Sequence, residues 1–274
     1  MRIVVSGATG FLSSHTVEAL LSEGHSVLGI AKHAHDASYP LIAADLGEHG
    51  AWQESVKAFK PEVAIHLAWE GIPDYGAEMS ERNKDASISF FSFLESIGIE
   101  RIIGMGTGWE HVKTNAFTAV KGALRECGES LEKKGSLTFV WARIYFAYGP
   151  RQRSEALIPS MVRSIKSGIP VQLKTPGAQN DFLYAEDVAR ALTLLSQSET
   201  PGGAYDVGSG VLTPVAEVAR LVHEQLGVPF EAQSGAYEAA HVAQTEAMTR
   251  LGWTPQVPLP EGVQKTVAWL IKRS

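Results

Sequence analysis

The sequence predicts an α/β protein: a doubly wound parallel sheet of the Rossmann type with a smaller C-terminal α/β lobe. Three observations predict it. Short apolar runs alternate with longer amphipathic stretches over the first ~150 residues. A glycine-rich turn directly follows the first apolar run and opens the first amphipathic stretch. After Pro150 the alternation gives way to frequent Pro and Gly.

Each element follows from its own pattern. RIVVSG reads as a buried strand, and SSHTVEALLSEG as a helix ending at Gly24. SVLGIA is a second strand. AWQESVKAFK is a helix interrupted by Pro61, and VAIHLA is a strand. SERNKDASISFFSFLESIG is a long helix ending at Gly98, and RIIGMG another strand. NAFTAVKGALRECGESLEKKG is a further long helix, and LTFVWARI closes the series as a strand. Such alternation implies parallel strands with helices on both faces. Residues 1–150 are expected to form this domain, with parts of 180–210 returning to it, and residues 151–274 the smaller lobe. That lobe reads as loop-rich, with two clear helices in AEDVARALTLLSQ and PVAEVARLVHEQLG. No internal repeat or low-complexity segment stands out.

Composition narrows the function classes. The chain has 274 residues, 45% hydrophobic and 20% charged, which excludes a disordered chain or a fibre. A net charge of −6 without a basic run argues against a nucleic-acid partner. Cys127 is the single cysteine, so no internal disulfide forms, and a reducing cytoplasm is expected. MRIVVSGATG lacks the long apolar core and cleavage site of a signal peptide. No apolar run approaches the ~20 residues of a membrane span, so no membrane partner is expected. The nine histidines show no metal-ligand spacing.

The turn SGATGFLSS carries the first chemical signal. Gly7 and Gly10, with Thr9 between them, let the backbone approach a pyrophosphate held at a helix N-terminus. An ordinary glycine-rich turn is the bland alternative, and its place after the first strand favours the nucleotide. Residues 1–150 then read as a dinucleotide-binding domain. An NAD site usually offers an acid at the end of the second strand. Here Ala31 occupies that place, followed by Lys32 and His33. A cation suits a 2′-phosphate, so NADP is expected ahead of NAD, unless Lys32 is a solvated surface lysine. Asp45, in AADLGE, is placed to accept from the adenine amino group or to cap a helix.

Seven segments stand in order along the chain: GATGFLSS, with Ser13 in place of a last glycine; IHLAW, from Ile65 to Trp69; Asn83; RIYFAYGPRQ, from Arg143; NDFLYAEDVARAL; YDVGSG; and LGWTP. Together they resemble the extended short-chain dehydrogenases/reductases, the group that contains nucleotide-sugar epimerases, dehydratases and 4-ketoreductases. The resemblance covers nearly the whole chain and implies that the smaller lobe, residues 151–274, binds the substrate. It implies a dinucleotide on Gly7, Thr9, Gly10, Phe11, Leu12, Lys32, Asp45, Leu46, Leu67, Ala68, Lys121 and Tyr145. It implies a sugar or nucleotide-sugar substrate on Trp69, Thr107, Gly108, Trp109, Arg151 and Asn180. The helices at 80–97 and 117–134 would pair in a homodimer, although helices buried within one chain look the same.

The family's chemistry uses a Ser or Thr, a Tyr and a Lys. The Lys grips the nicotinamide ribose and lowers the Tyr pKa from its usual ~10; the Tyr exchanges a proton with the substrate oxygen while hydride moves. Thr107 and Lys121 match two of these. One helical turn before Lys121, where the Tyr belongs, stands Phe117, which has no proton to give. Three explanations stay open. Another group carries the proton, such as Glu110, His111, Tyr75 or water; or the protein binds without turnover; or the exchange was introduced to trap a complex. Loss of a general acid costs about 10²–10⁴-fold in rate.

Gly108 and Trp109 stand where sugar dehydratases of this family carry Asp-Glu, which argues against dehydration and leaves ketoreduction or epimerisation. GTGWEH is closest to the deoxysugar 4-ketoreductases. Glu110 reads either as an outer carboxylate or as a solvated loop acid. Asn180 replaces the Arg that clamps the substrate diphosphate; Arg151, Arg153, Lys166 and Lys174 are other sources of charge, and a substrate without a diphosphate stays open. Asp187 is expected to cap or tether its helix, and Cys127 to pack. The expected function is an NAD(P)-dependent oxidoreductase or epimerase on a nucleotide-activated or related sugar, first of all a 4-keto-sugar reductase. The competing reading is a catalytically silent NADP-binding regulatory or scaffold protein. Phe117 favours silence; Thr107, Lys121 and the retained motifs favour an enzyme.

Overall fold

The computed structural model describes residues 1–33, 36–48, 50–112, 115–135, 137–235 and 240–273. The chain divides into two compact units, Met1–Ile144 with Ala189–Tyr205, and Tyr145–Val188 with Asp206–Ser274.

The first unit alternates strand and helix as the apolar runs require. In order come β1 (Arg2–Ser6), α1 (Phe11–Ser22), β2 (Ser26–Ala31), β3 (Leu41–Ala43), α2 (Ala51–Phe59), β4 (Val63–His66), α3 (Ala77–Ser96), β5 (Arg101–Thr107), α4 (Ala116–Lys133) and β6 (Thr138–Ile144). Helix α2 stops at Lys60, in the left-handed region at φ 52°, with Pro61 beyond it. Helix α4 starts on a capping box: the Asn115 side chain accepts from the Thr118 amide, and the Thr118 hydroxyl faces the Asn115 amide.

The second unit holds β7 (Phe146–Tyr148), α5 (Leu157–Lys166) and β8 (Gln179–Tyr184), then the start of α6 (Ala185–Leu195), whose remainder belongs to the first unit. Strand β9 (Gly203–Val207) is likewise shared, and β10 (Leu212–Pro214), α7 (Val215–Leu226), α8 (Glu246–Arg250) and α9 (Leu259–Lys272) complete the second unit. The lobe is therefore more helical than its Pro and Gly content implies. Pro159 lies in the first turn of α5, and α9 begins behind Pro258 with a proline in its own first turn. Both are places where the missing N–H costs nothing.

The large sheet has seven strands in the order β3-β2-β1-β4-β5-β6-β9, and the pairings β1·β2, β1·β4, β2·β3, β4·β5 and β5·β6 are parallel. This is a doubly wound Rossmann sheet, as the alternation predicts. The strand order reverses between β1 and β4, and such a switch point opens a crevice at the carboxyl ends of the strands. A second sheet, β10-β8-β7, is antiparallel at β10·β8 and parallel at β7·β8.

The first unit's core is rich in aromatics, with Trp52, Phe90, Phe91, Phe139 and Trp141 all essentially inaccessible. Phe139 and Trp141 fill space left by glycines: a Cβ at Gly128 of α4 would fall on the Phe139 ring, and one at Gly104 of β5 would lie 2.6 Å from the Trp141 ring. The second unit's core gathers Tyr148, Ile158, Val218, Val263 and Val267. No helix among the described residues is long and apolar enough to cross a membrane.

Candidate functional site

The glycine turn leaves β1 at its carboxyl end. Gly7 sits at φ +67°, the left-handed region that glycine enters without penalty. The Gly10 amide donates to the Gly7 carbonyl at 2.8 Å, and the Ala8 amide to the Ile30 carbonyl at 3.0 Å. A Cβ on Gly7 would lie 2.7 Å from the Ala68 Cα, so backbone packs on backbone here. Gly10 is the N-cap of α1, which has no side-chain cap and no acid in its first turn. Its leading amides and the positive end of its dipole thus have no side-chain partner. Phe11 and Leu12 form the start of this turn, and Ser13 is buried behind it.

A cavity of about 760 Å³ opens beside this turn, entirely within the first unit. Gly7, Thr9, Gly10, Lys32, Asp45, Leu46, Leu67 and Ala68 all line it, which brings together most of the sequence-predicted cofactor residues, and Trp69, predicted on the substrate side, lines it too. The far wall holds an ion network that sequence reasoning missed. Lys32 Nζ lies 2.8 Å from Glu70 Oε1 and 3.1 Å from Asp45 Oδ2, and Arg82 Nη2 lies 3.1 Å from the same Asp45 oxygen. Glu70, then Asp45, holds the Lys32 ammonium above its usual range, and the Gly47 amide, helped by Lys32 and Arg82, holds Asp45 below its own. Lys32 is therefore neither a bare cation nor a merely solvated lysine. Asp45 accepts from the Gly47 amide at 2.9 Å, while the N-cap of α2 is Gly50, so the helix-capping alternative falls away. Asn83 of α3 fixes the position of Glu70, accepting from its amide at 2.7 Å and donating to its carbonyl at 3.1 Å.

His66, at the end of β4, lines the cavity yet is 4% exposed. Its Nδ1 lies 2.7 Å from Ser6 Oγ and its Nε2 lies 2.8 Å from Ser87 Oγ. Ser87 donates to the Asn83 carbonyl at 2.7 Å, and Ser6 accepts from the Ala68 amide at 3.3 Å. Of the two neutral tautomers, only the one with the proton on Nε2 satisfies all four bonds. Burial, aided by the nearby Lys121 charge, pushes its pKa down to about 3.

The expected catalytic helix presents Phe117 and Lys121 on one face. The Lys121 ammonium is buried, donates to the Met105 carbonyl at 2.9 Å, and lies 3.9 Å from the centre of the Trp69 ring. Burial lowers its pKa to about 7. The Phe117 ring meets Trp69 edge to face at 5.0 Å and Tyr75 at 5.2 Å. Trp69 thus joins this cluster to the cavity wall. Thr107 ends β5, and its hydroxyl accepts weakly from the Trp109 amide at 3.4 Å; the Gly108 amide donates to the Ile144 carbonyl. Glu110 is buried: Arg143 donates to it at 2.6 Å and the Trp141 indole at 2.8 Å. The solvated-acid reading of Glu110 is corrected, because burying a carboxylate requires such partners.

The remaining predicted site residues, Tyr145, Arg151 and Asn180, belong to the second unit. The Tyr145 hydroxyl donates to Asp206 at 2.9 Å, Asn180 is buried in β8 opposite Thr213, and Arg151 is exposed at φ 69°. Asp187 accepts from the Gln256 and Val257 amides, a tether as expected. Cys127 is half-buried on α4, and burial raises its thiol pKa. Among the described residues no cluster of His, Cys, Asp and Glu has the arrangement of a metal site.

Comparison with known proteins adds an independent line. The model of the NAD dependent epimerase/dehydratase family matches residues 3–208. A probable dTDP-glucose 4,6-dehydratase of Sinorhizobium fredii is 25% identical over 99% of this chain and 93% of its own length. A UDP-glucose 4-epimerase of Mycolicibacterium smegmatis is 24% identical over the whole of both chains, at 100% each. Among solved structures, Thermus thermophilus UDP-glucose 4-epimerase in complex with NAD superposes with a TM-score of 0.88 at 23% identity, covering 100% of each chain; that likeness is one of fold.

Proposed function

Because this chain belongs to the NAD dependent epimerase/dehydratase family, we propose that it binds a nicotinamide dinucleotide in the 760 Å³ cavity and acts on a nucleoside diphosphate sugar, as a 4-keto-sugar reductase. The observation that carries this reading is one continuous wall: it runs from the glycine turn to Trp69, whose ring rests on the Lys121 ammonium.

The residues present fit such a group. The Gly7 cradle and the uncapped start of α1 suit a pyrophosphate, and the cavity volume is that of an ordinary cofactor site. We favour NAD over NADP. The NADP expectation rested on Lys32 as an available cation, and Lys32 is already paired with Glu70 and Asp45. With Glu48 and Asp85 also in the wall against Lys32 and Arg82, a 2′-phosphate adds negative charge where negative charge is in excess.

When bound, the reduced dinucleotide supplies a hydride with its two electrons. Thr107 is proposed to orient the substrate carbonyl by hydrogen bonding, and Lys121 to hold ribose hydroxyls. Gly108 and Trp109 bring neither an acid nor a base, so dehydration is not proposed. Calorimetry with NADH tests the reading first, and NADH consumption with a thymidine diphosphate 4-keto-6-deoxyhexose tests it second. Saturable binding that Gly7→Ala abolishes, followed by turnover, is the expected result. No binding overturns it, and binding without turnover across nucleoside diphosphate keto-sugars identifies a silent binding protein instead.

A further inference from the structure

Resting on the reading above, we infer that the Tyr75 hydroxyl supplies the proton that Phe117 cannot. Tyr75 lies in the connection from β4 to α3, at the carboxyl end of the sheet where the cavity opens. Two turns brace that connection: the Asp74 amide donates to the Gly71 carbonyl at 2.6 Å, and the Gly76 amide donates to Asp74 Oδ1 at 2.8 Å. They hold the Tyr75 ring against Phe117 at 5.2 Å, on the same ring that Trp69 contacts at 5.0 Å. Among the described residues the Tyr75 hydroxyl has no hydrogen-bond partner, and the residue is 40% exposed. A phenol thus stands one ring away from the position where the helix lacks one.

The other candidates are less well placed. Both Glu110 oxygens are taken, by Arg143 at 2.6 Å and by the Trp141 indole at 2.8 Å. The Lys121 ammonium gives one N–H to the Met105 carbonyl and rests on the Trp69 ring, and its remaining donors are assigned to the ribose hydroxyls. His111 makes no ring contact with Phe117 among the described residues.

The step balances. As hydride reaches the carbonyl carbon, the C=O π bond breaks and the Tyr75 Oη–H bond breaks with it. Its proton forms the new O–H bond, and both electrons of the reduction arrive with the hydride. The phenolate left behind regains a proton directly from water, because Tyr75 is open to solvent.

Three proteins decide the matter: wild type, Tyr75→Phe, and Tyr75→Phe with Phe117→Tyr, each with NADH and a thymidine diphosphate 4-keto-6-deoxyhexose. Turnover should fall by about 10²–10⁴-fold in Tyr75→Phe, with NADH affinity unchanged by calorimetry. Phe117→Tyr should restore turnover roughly tenfold or more in that background, since a hydroxyl one ring away serves the same oxygen. A second readout needs no turnover. In protein labelled with 13Cζ-tyrosine and loaded with NAD+, the Tyr75 resonance, identified by its loss in Tyr75→Phe, should move when the keto-sugar is added. Unchanged turnover in Tyr75→Phe, a loss that Phe117→Tyr leaves unrepaired, or a Tyr75 resonance indifferent to the sugar overturns the inference. A wild type that binds NADH without consuming it sinks the keto-reductase reading, and this inference with it.

Discussion

Lys121 rests its ammonium 3.9 Å from the centre of the Trp69 ring, with the Met105 carbonyl as its hydrogen-bond acceptor and no carboxylate paired to it among the described residues. A buried cation so placed is held at close range by a ring quadrupole and one dipole, with the Glu110 charge acting on it from beyond ion-pair distance.

That environment has a measurable cost. Burial lowers the Lys121 pKa from its ordinary 10.5 to about 7. Between those values the unfolded chain binds the proton more tightly than the folded one, so stability rises with pH through this window. Below about pH 7 the full penalty applies. Lys121→Met should therefore stabilise the unliganded protein at pH 6 by on the order of a few kcal/mol, read as a higher melting temperature, and the gain should shrink towards pH 10. Equal gains at both pH values would contradict the assignment.

His66 gives the acid limb. Its folded pKa of about 3 lies below the ordinary 6.5 because it is buried, and Lys121 adds to the effect. Its contribution is complete above pH 6.5 and is lost as pH falls towards 3, by up to ~1.4 kcal/mol per pH unit. His66→Gln should flatten the melting-temperature profile between pH 6 and pH 4, as read by calorimetric scans at a series of pH values.

Glu110 is structural. Glu110→Gln leaves Arg143 without its closest carboxylate, and breaking a buried pair in this way costs about 3–5 kcal/mol. Denaturant titration should register the loss. The pH profile of turnover should keep its shape, whereas a general acid at this position would take one limb of the profile away with it.

Cofactor choice hangs on Glu70. Removing its charge with Glu70→Gln releases Lys32 from its nearest partner. NADPH affinity should then rise relative to NADH, by about tenfold if one charge-assisted bond to the 2′-phosphate forms. Wild type should prefer NADH, and calorimetric titration with both dinucleotides measures each ratio.

The first unit was legible because its strands are buried on both faces and its helices are amphipathic. SVLGIA coincides with β2, and Gly24 and Gly98 closed their helices in the left-handed conformation at φ 80° and 76°. Helices α5 and α9 escaped notice because Pro159, Pro258, Pro260 and Gly262 look like breakers. The prolines sit at or before first turns, and Gly262 lies where a Cβ would strike the Tyr148 hydroxyl. The glycine turn was likewise readable, being local. The Lys32–Glu70 pair and the Tyr75–Phe117 contact join residues 38 and 42 positions apart, by 70 − 32 and 117 − 75, and no short motif encodes either. Burial of Glu110 depended on Arg143 and Trp141, two residues that alternate onto the same side of β6.

Sequence drift in this fold is limited by an absence at Gly128. The depth at which α4 lies on the sheet is set by a hydrogen atom facing the Phe139 ring, and that depth carries Lys121, two turns earlier, to the Met105 carbonyl. A lineage that gains a side chain at position 128 must trim Phe139 in the same step or lift the helix. Paired substitutions at 128 and 139, remote from any ligand, would then record selection acting on the lysine. A search for variants with altered activity should include that pair, since it adjusts the height of the ammonium without touching a single residue of the cavity wall.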